Sequence, residues 1–157
     1  MIELTQLEVK ANDPSKQQEQ IEFFQGLETN PPSPERVQQL ITLDNEVGTS
    51  KMTVKLLQNM IFTMAKVINN NEPKEKQVAI EDLEKQMTSS LPANFSQEMA
   101  NQIIASYMYI YKDVSDKKLD EYINIWKAST GKYYTSKVFE ALDYTFSKIG
   151  ESIGGQL

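Results

Sequence analysis

The sequence predicts an all-α protein of six to eight helices, arranged as two helix-hairpin halves around one core. Three observations predict it. Apolar residues recur at i, i+3, i+4, i+7 along most of the 157 residues. The six prolines sit between those stripes, where they start or separate helices. The six glycines fall mainly in turns and at the chain's end.

In chain order, Ile2 to Lys10 reads as a short helix. Asp13-Pro14 reads as an N-cap and first helical residue, opening a helix to about Leu27 that buries Ile21, Phe24 and Leu27. Asn30-Pro31-Pro32 breaks it. Ser33-Pro34-Glu35 starts the next helix, with Val37, Leu40, Ile41 and Leu43 on its buried stripe. Gly48-Thr49-Ser50 makes a turn. A long helix follows from about Lys51 to Asn69, whose wide apolar face (Met52, Leu56, Met60, Met64, Val67, with Leu57, Ile61 and Ile68 beside it) is expected at the centre of a core.

A polar helix is expected from Pro73 to about Met87, then a loop at Ser89-Ser90-Leu91-Pro92. Ser96 reads as the N-cap of a helix to about Lys112 that turns Met99, Ile103, Tyr107 and Ile110 inward. Ser115 is the best-marked cap: Val114 before it and Leu119 four residues after it form a hydrophobic staple. Leu119, Tyr122, Ile123 and Trp126 continue the stripe, so Trp126 is expected to be largely buried. After Ser129-Thr130-Gly131, a last long helix is expected to bury Tyr134, Val138, Leu142 and Ile149, ending at Gly154-Gly155.

Shifting the chain by 82 residues lays 33–68 over 115–150 with five identities: Ser33/Ser115, Ile41/Ile123, Thr53/Thr135, Lys55/Lys137 and Lys66/Lys148. The pattern reads either as an internal duplication of residues 33–70 and 115–150 or as two generic helix hairpins. Residues 1–32 form an N-terminal helical extension, and 33–157 the helical domain.

Composition narrows the chemistry. The net charge is −6, and the segments 1–32, 33–70, 71–112 and 113–157 carry −4, +1, −2 and −1, so no stretch has the basic footprint of a nucleic-acid binder. Fifteen of the 16 basic residues are lysine, and Arg36 alone can read a phosphate in a planar, bidentate way. With no Cys or His, cysteine nucleophiles, zinc sites and the Ser-His-Asp triad are excluded. No metal site, cofactor or catalytic residue is expected. No apolar run approaches the roughly 20 residues of a membrane span.

The acids Asp113, Asp116, Asp120 and Glu121 cluster near one helix start, where the helix dipole already favours them. The Met52, Met60, Met64 stripe reads first as core and second as an adaptable groove. Ten of the 14 aromatics, including all seven tyrosines, lie between Tyr107 and Phe146. Core packing is expected for Tyr122, Trp126, Tyr134 and Phe139, whereas Tyr109, Tyr111, Tyr133 and Tyr144 are the candidate ligand-binding residues of a half-exposed groove.

Two stretches carry a family resemblance. Ser33-Pro34-Glu35-Arg36-Val37-Gln38-Gln39-Leu40-Ile41, with Leu57-Gln58-Asn59-Met60-Ile61, resembles the opening helix pair of a bacterial domain of unknown function, family number two-zero-five-nine. Tyr109-Ile110-Tyr111-Lys112-Asp113-Val114-Ser115 through Tyr122, ending in Ala128-Ser129-Thr130-Gly131-Lys132, resembles that family's more recognisable half. The resemblance spans about residues 33–157 and departs at Trp126, where a Phe-Tyr pair is expected. It implies an all-helical, exported, periplasmic or secreted protein of diderm bacteria, and it brings no catalytic residues.

The expected function is that of a non-enzymatic binding or interaction protein of the cell envelope, with a protein, peptide or glycan partner. A carboxylate-dependent envelope enzyme acting on glycans is the first alternative. A cytoplasmic helical adaptor using the Met-rich face is the second. Homo-oligomerisation is compatible with either interaction reading.

Overall fold

The computed structural model describes residues 2–154 and contains eight α-helices and no strand among them. They are α1 (Ile2–Ala11), α2 (Gln17–Leu27), α3 (Pro34–Val47), α4 (Thr49–Asn71), α5 (Ile80–Ser90), α6 (Phe95–Ile110), α7 (Asp116–Lys127) and α8 (Ser129–Gly154). Short 3-10 turns occupy Pro14–Lys16 and Lys74–Lys76. Gly155, expected to help end the last helix, lies outside the described residues.

Two compact units emerge. The first comprises Met1–Thr49 with Ala100–Tyr133, the second Ser50–Met99 with Tyr134–Leu157. Each hairpin suggested by the sequence is therefore shared: α3 and α7 belong to the first unit, and nearly all of α4 and α8 to the second.

The helix starts follow their caps. Ser33 and Ser115 adopt nearly the same extended conformation, and their hydroxyls accept from the amides of Arg36 and Lys118. Asp13 caps the 3-10 turn ahead of α2. The start of α6 departs from expectation. It begins at Phe95, one residue before the expected Ser96 cap, and Asn94 accepts from the Glu98 amide through its backbone carbonyl. The start of α5 departs further, at Ile80 instead of Pro73. The Asn69 side chain pins the end of the intervening segment: its amide donates to the Val78 carbonyl at 3.0 Å, and its oxygen accepts from the Val78 amide at 2.8 Å. This pairing keeps Val78 out of a helix.

In the first unit, Leu4, Leu40, Leu43, Ile104, Tyr107, Tyr111, Leu119, Tyr122 and Ile123 form one buried cluster. Trp126 is half-buried against it, less enclosed than its stripe implied. On α2 the expected phase is off. Ile21 and Phe24 are exposed and Phe23 turns inward, edge-on to the Tyr109 ring with centroids 5.5 Å apart. A helix seated on one aromatic ring takes its orientation from that ring, which periodicity cannot reveal.

The Arg36 side chain, 15% exposed, ties this unit together. Its guanidinium donates to the carbonyls of Tyr111 at 2.7 Å and Val114 at 2.9 Å, and to Asp116 Oδ1 at 2.8 Å. It thereby supplies a donor to the Val114 carbonyl and a second donor to the Tyr111 carbonyl, which also accepts from the Val114 amide at 2.9 Å. Alongside it, Gln39 donates to Asp120 Oδ1 at 2.8 Å, and Lys118 pairs with Glu3 of α1.

The second unit is thinner. Leu83 is its one buried apolar side chain among the described residues. Met52 and Leu56 of α4 line a small gap with Phe139, Leu142 and Phe146 of α8, flanked by the Lys55–Asp143 ion pair. The expectation that the Met-rich face of α4 is a core is overturned: Met60, Met64 and Ile68 are 46%, 63% and 64% exposed. Tyr134 and Ile149, also expected inside, are exposed. Alpha-helical periodicity finds an apolar face but does not supply the element that covers it.

Two glycines make contrasting tests. A Cβ on Gly131 would lie 2.6 Å from the backbone of Ile125 and Trp126, whereas one on Gly26 would meet nothing within 4 Å. Gly131→Ala should destabilise the protein by about 1–3 kcal/mol through forced backbone shifts. Gly26→Ala should stabilise it by about 0.5–1 kcal/mol by removing unfolded-chain freedom within a helix. Both are read from denaturant midpoints. Arg36→Lys should cost about 1–3 kcal/mol, because one ammonium cannot replace a fork that serves three acceptors. Asp116→Asn, at a position 72% exposed, should cost well under about 1 kcal/mol. Equal losses in the two variants would show that the ion pair, and not the carbonyl contacts, is what Arg36 contributes.

Candidate functional site

The four candidate tyrosines do not share a groove. Tyr109 and Tyr111 are buried in the first unit, while Tyr133 and Tyr144 are about two-thirds exposed on α8. Tyr109 and Tyr111 are consecutive odd positions at the end of α6, and both turn inward because the helix gives way there to the turn that leads to α7.

Tyr111 is instead the centre of a buried polar cluster. Its phenol donates to the Glu8 carboxylate of α1, which also accepts from the Tyr122 phenol at 3.1 Å. The Tyr111 ring packs against Tyr107 and Tyr122 with centroids 5.6 and 6.2 Å apart. Tyr107 shares a 2.6 Å hydrogen bond with the Thr49 hydroxyl. Burial pushes all three phenols above the ordinary tyrosine value, and for Tyr111 the bond to Glu8 adds to the rise. A phenol locked in its neutral form and already donating to a carboxylate braces a core. It is poorly suited to proton transfer near neutral pH.

Two of the clustered acids, Asp116 and Asp120, are engaged, as is Asp143 on α8. Asp116 holds Arg36, Asp120 holds Gln39, and Asp143 holds Lys55. An open groove of about 690 Å³ runs between α3 and α7, lined by Glu35, Gln38, Gln39, Thr42, Asp120, Asn124 and their neighbours. Its walls are polar and its floor offers only Ile123 as a large apolar side chain. Among the described residues, no group of three or more acids could hold a metal ion, and no helix is long and apolar enough to cross a membrane.

The second unit presents a different surface. At about 100° per residue, Leu57, Met60, Ile61, Met64 and Ile68 fall on one side of α4. Lys51, Lys55 and Lys66 fall on the other, and α4 has no acid. The result is an uncharged apolar strip about 16 Å long from Leu57 to Ile68. Ile61 also belongs to a pocket of about 170 Å³ between α4 and α5, with Phe62, Met87 and Leu91 as further apolar walls and Gln58, Asn59, Glu84 and Thr88 at its edge. Lys66 covers the far side of Phe62, 4.2 Å from the ring centre. Beyond the pocket, α5 turns Glu81, Glu84, Lys85, Thr88 and Ser89 to solvent.

Met60 and Met64 were visible in the sequence as an apolar stripe, read first as core and second as an adaptable groove. Met87, Leu91 and Glu84 were missed. The signal available for them was the Leu83–Met87 spacing of four within a segment that otherwise reads as polar. Comparisons with protein-family models, with curated proteins and with solved structures found no match to this chain.

The tyrosine cluster sets an alkaline limit on stability. Each phenol has a folded pKa above its unfolded value of 10.0, so the unfolded chain releases these protons first. Their contribution is complete below pH 10.0 and is lost as pH rises through and beyond it. Each group should lower unfolding free energy by about 1.4 kcal/mol per pH unit in that window. Denaturant titrations across the alkaline range should show this fall, with a shallower slope for Tyr111→Phe. A slope unchanged by that substitution would mean that Tyr111 ionises in the folded protein as it does in the unfolded chain.

Proposed function

We propose that this protein is a non-enzymatic helical interaction module that engages a protein partner through the outward face of α4. One observation carries the reading: Met60, Met64 and Ile68 form an uncharged, solvent-facing strip on a long helix, in a unit that buries a single apolar side chain among its described residues. Contiguous exposed apolar surface of this kind characterises docking sites, and methionine adapts to the shape of what covers it. The reading keeps the binding function expected from the sequence and takes for its surface the Met-rich face of the adaptor alternative in place of the C-terminal tyrosines. The family resemblance of residues 33–157 supports an envelope setting in a diderm bacterium, which fractionation of cells expressing the native gene would test.

A photoreactive residue placed at Met64 or Ile68 should cross-link one identified protein in the native host. The same residue at Lys117, an exposed position on α7, should not. Met60→Lys should abolish the Ile68 adduct while leaving the thermal midpoint of the protein within a few degrees. Cross-linking that is absent at Met64 and Ile68, or equal at Lys117, would overturn the reading.

A further inference from the structure

We infer that the occupant of this surface is a basic amphipathic helix; the inference rests on the interaction reading and specifies its partner. Three features converge within one unit. The α4 strip, about 16 Å long, matches three turns of a partner helix, and it accommodates anchors at i, i+4 and i+7, which span about 10–11 Å. The pocket that Ile61 shares with Phe62, Met87 and Leu91 holds about 170 Å³. That is below the roughly 300 Å³ at which small-molecule sites begin, and it suits one large aliphatic or aromatic side chain. Buried anchors of that sort carry most of the affinity at helix-in-groove interfaces.

The third feature is charge. The strip itself is neutral, but the α5 edge of the pocket is acidic. Lys85 sits 3.6 Å from Asp82, so Glu81 and Glu84 stand as the net charge of that edge. A partner helix in the groove thus meets an apolar floor, the Lys66 ammonium over Phe62 on the α4 side and a negative rim of two uncompensated acids on the α5 side, on a protein whose net charge is −6. Lysines or arginines beside the partner's apolar face satisfy that rim and hasten encounter. A partner with acids at those positions would meet like charge.

The geometry of the two helices explains why α5 takes part. Met87 lies four residues after the buried Leu83, so it follows the same face of α5 one turn on, and Leu91 extends that line past the helix end. Glu84 also lines the pocket, next in sequence to Leu83, while Glu81 lies on the neighbouring α5 surface. An anchor in the pocket therefore places the next turn of its own helix beside the acids.

The probe is a synthetic helix of leucine and lysine with one tryptophan on its apolar face, titrated into the intact protein and followed by fluorescence anisotropy. A second peptide replaces every lysine with glutamate. The basic peptide should bind at least about tenfold more tightly than the acidic one, and its affinity should fall with added salt. Met64→Lys should weaken the basic peptide by at least about tenfold, and Ile68→Lys supplies the same test should the first variant not fold. The double variant Glu81→Lys, Glu84→Lys should reverse the preference between peptides.

Equal affinity for the two peptides would overturn the inference, as would binding indifferent to Met64, Ile68, Glu81 and Glu84. So would self-association of the protein that Met64→Lys abolishes, without peptide binding, because the occupant would then be a second copy of this chain. In that outcome the cross-links from Met64 persist and the interaction reading stands. Loss of both the cross-links and the peptide binding removes the two together.

Discussion

Everything in the first unit depends on one turn, residues 111–115, being held from both sides. Tyr111 leaves α6 with its ring fully enclosed, its phenol on Glu8 of α1 and its carbonyl on Arg36 of α3. The same guanidinium reaches Val114 and Asp116, so a single side chain fixes where α6 stops and where α7 begins. Alpha-helix termini leave carbonyls without partners, and a buried carbonyl without a donor costs on the order of 1–3 kcal/mol. Lysine is plentiful in this chain, yet the one position that must serve three fixed acceptors at once is the one occupied by arginine. Charge alone does not explain that choice, and planar geometry does.

With the turn fixed, the surrounding contacts follow. Leu119, Tyr122 and Ile123 of α7 face the same cluster as Leu40 and Leu43 of α3, and the Tyr122 phenol donates to the same Glu8 oxygen as Tyr111. Gly131 then lets α8 begin immediately against the last turn of α7, because any side chain there would strike the Trp126 backbone. Alpha-helix α1, which composition alone marks as an appendage, supplies both Leu4 and Glu8 to this core. Ion pairs at its edge, Lys118 with Glu3 and Lys112 with Glu19, are solvent-exposed and add orientation more than stability.

The helices and their caps were readable from sequence because they are local. Ser33, Ser115 and the prolines act on backbone groups within three or four residues, and those signals survive without knowledge of the fold. What was not readable is which apolar face finds a cover. The stripe Met60–Met64 and the stripe Leu119–Ile123 have the same period, yet among the described residues one is exposed and the other is buried with α3 beside it. The delayed start of α5 is the same kind of failure, since it depends on Asn69 reaching nine residues forward to Val78. Tyr109 and Tyr111 misled for a related reason. A tyrosine's polar tip suggests a wet edge, but Glu8, far away in sequence, satisfies the Tyr111 tip inside the core.

This separation bears on where binding can evolve in the protein. The first unit spends its aromatic and polar side chains on one another, and a ligand that displaced Tyr111 from Glu8 would take from that carboxylate one of its two phenol donors. On the second unit, Met60, Met64 and Ile68 have side chains that make no hydrogen bonds to break. Its exposed strip is uncharged, its methionines can change rotamer at little cost, and its pocket walls are already half-exposed side chains. Covering Met60, Met64 and Ile68 would remove apolar surface from water at about 25 cal/mol per Å², with no buried hydrogen bond to sacrifice. A surface that gains from being covered, beside a core that loses from being opened, is the reason to look for the partner on α4.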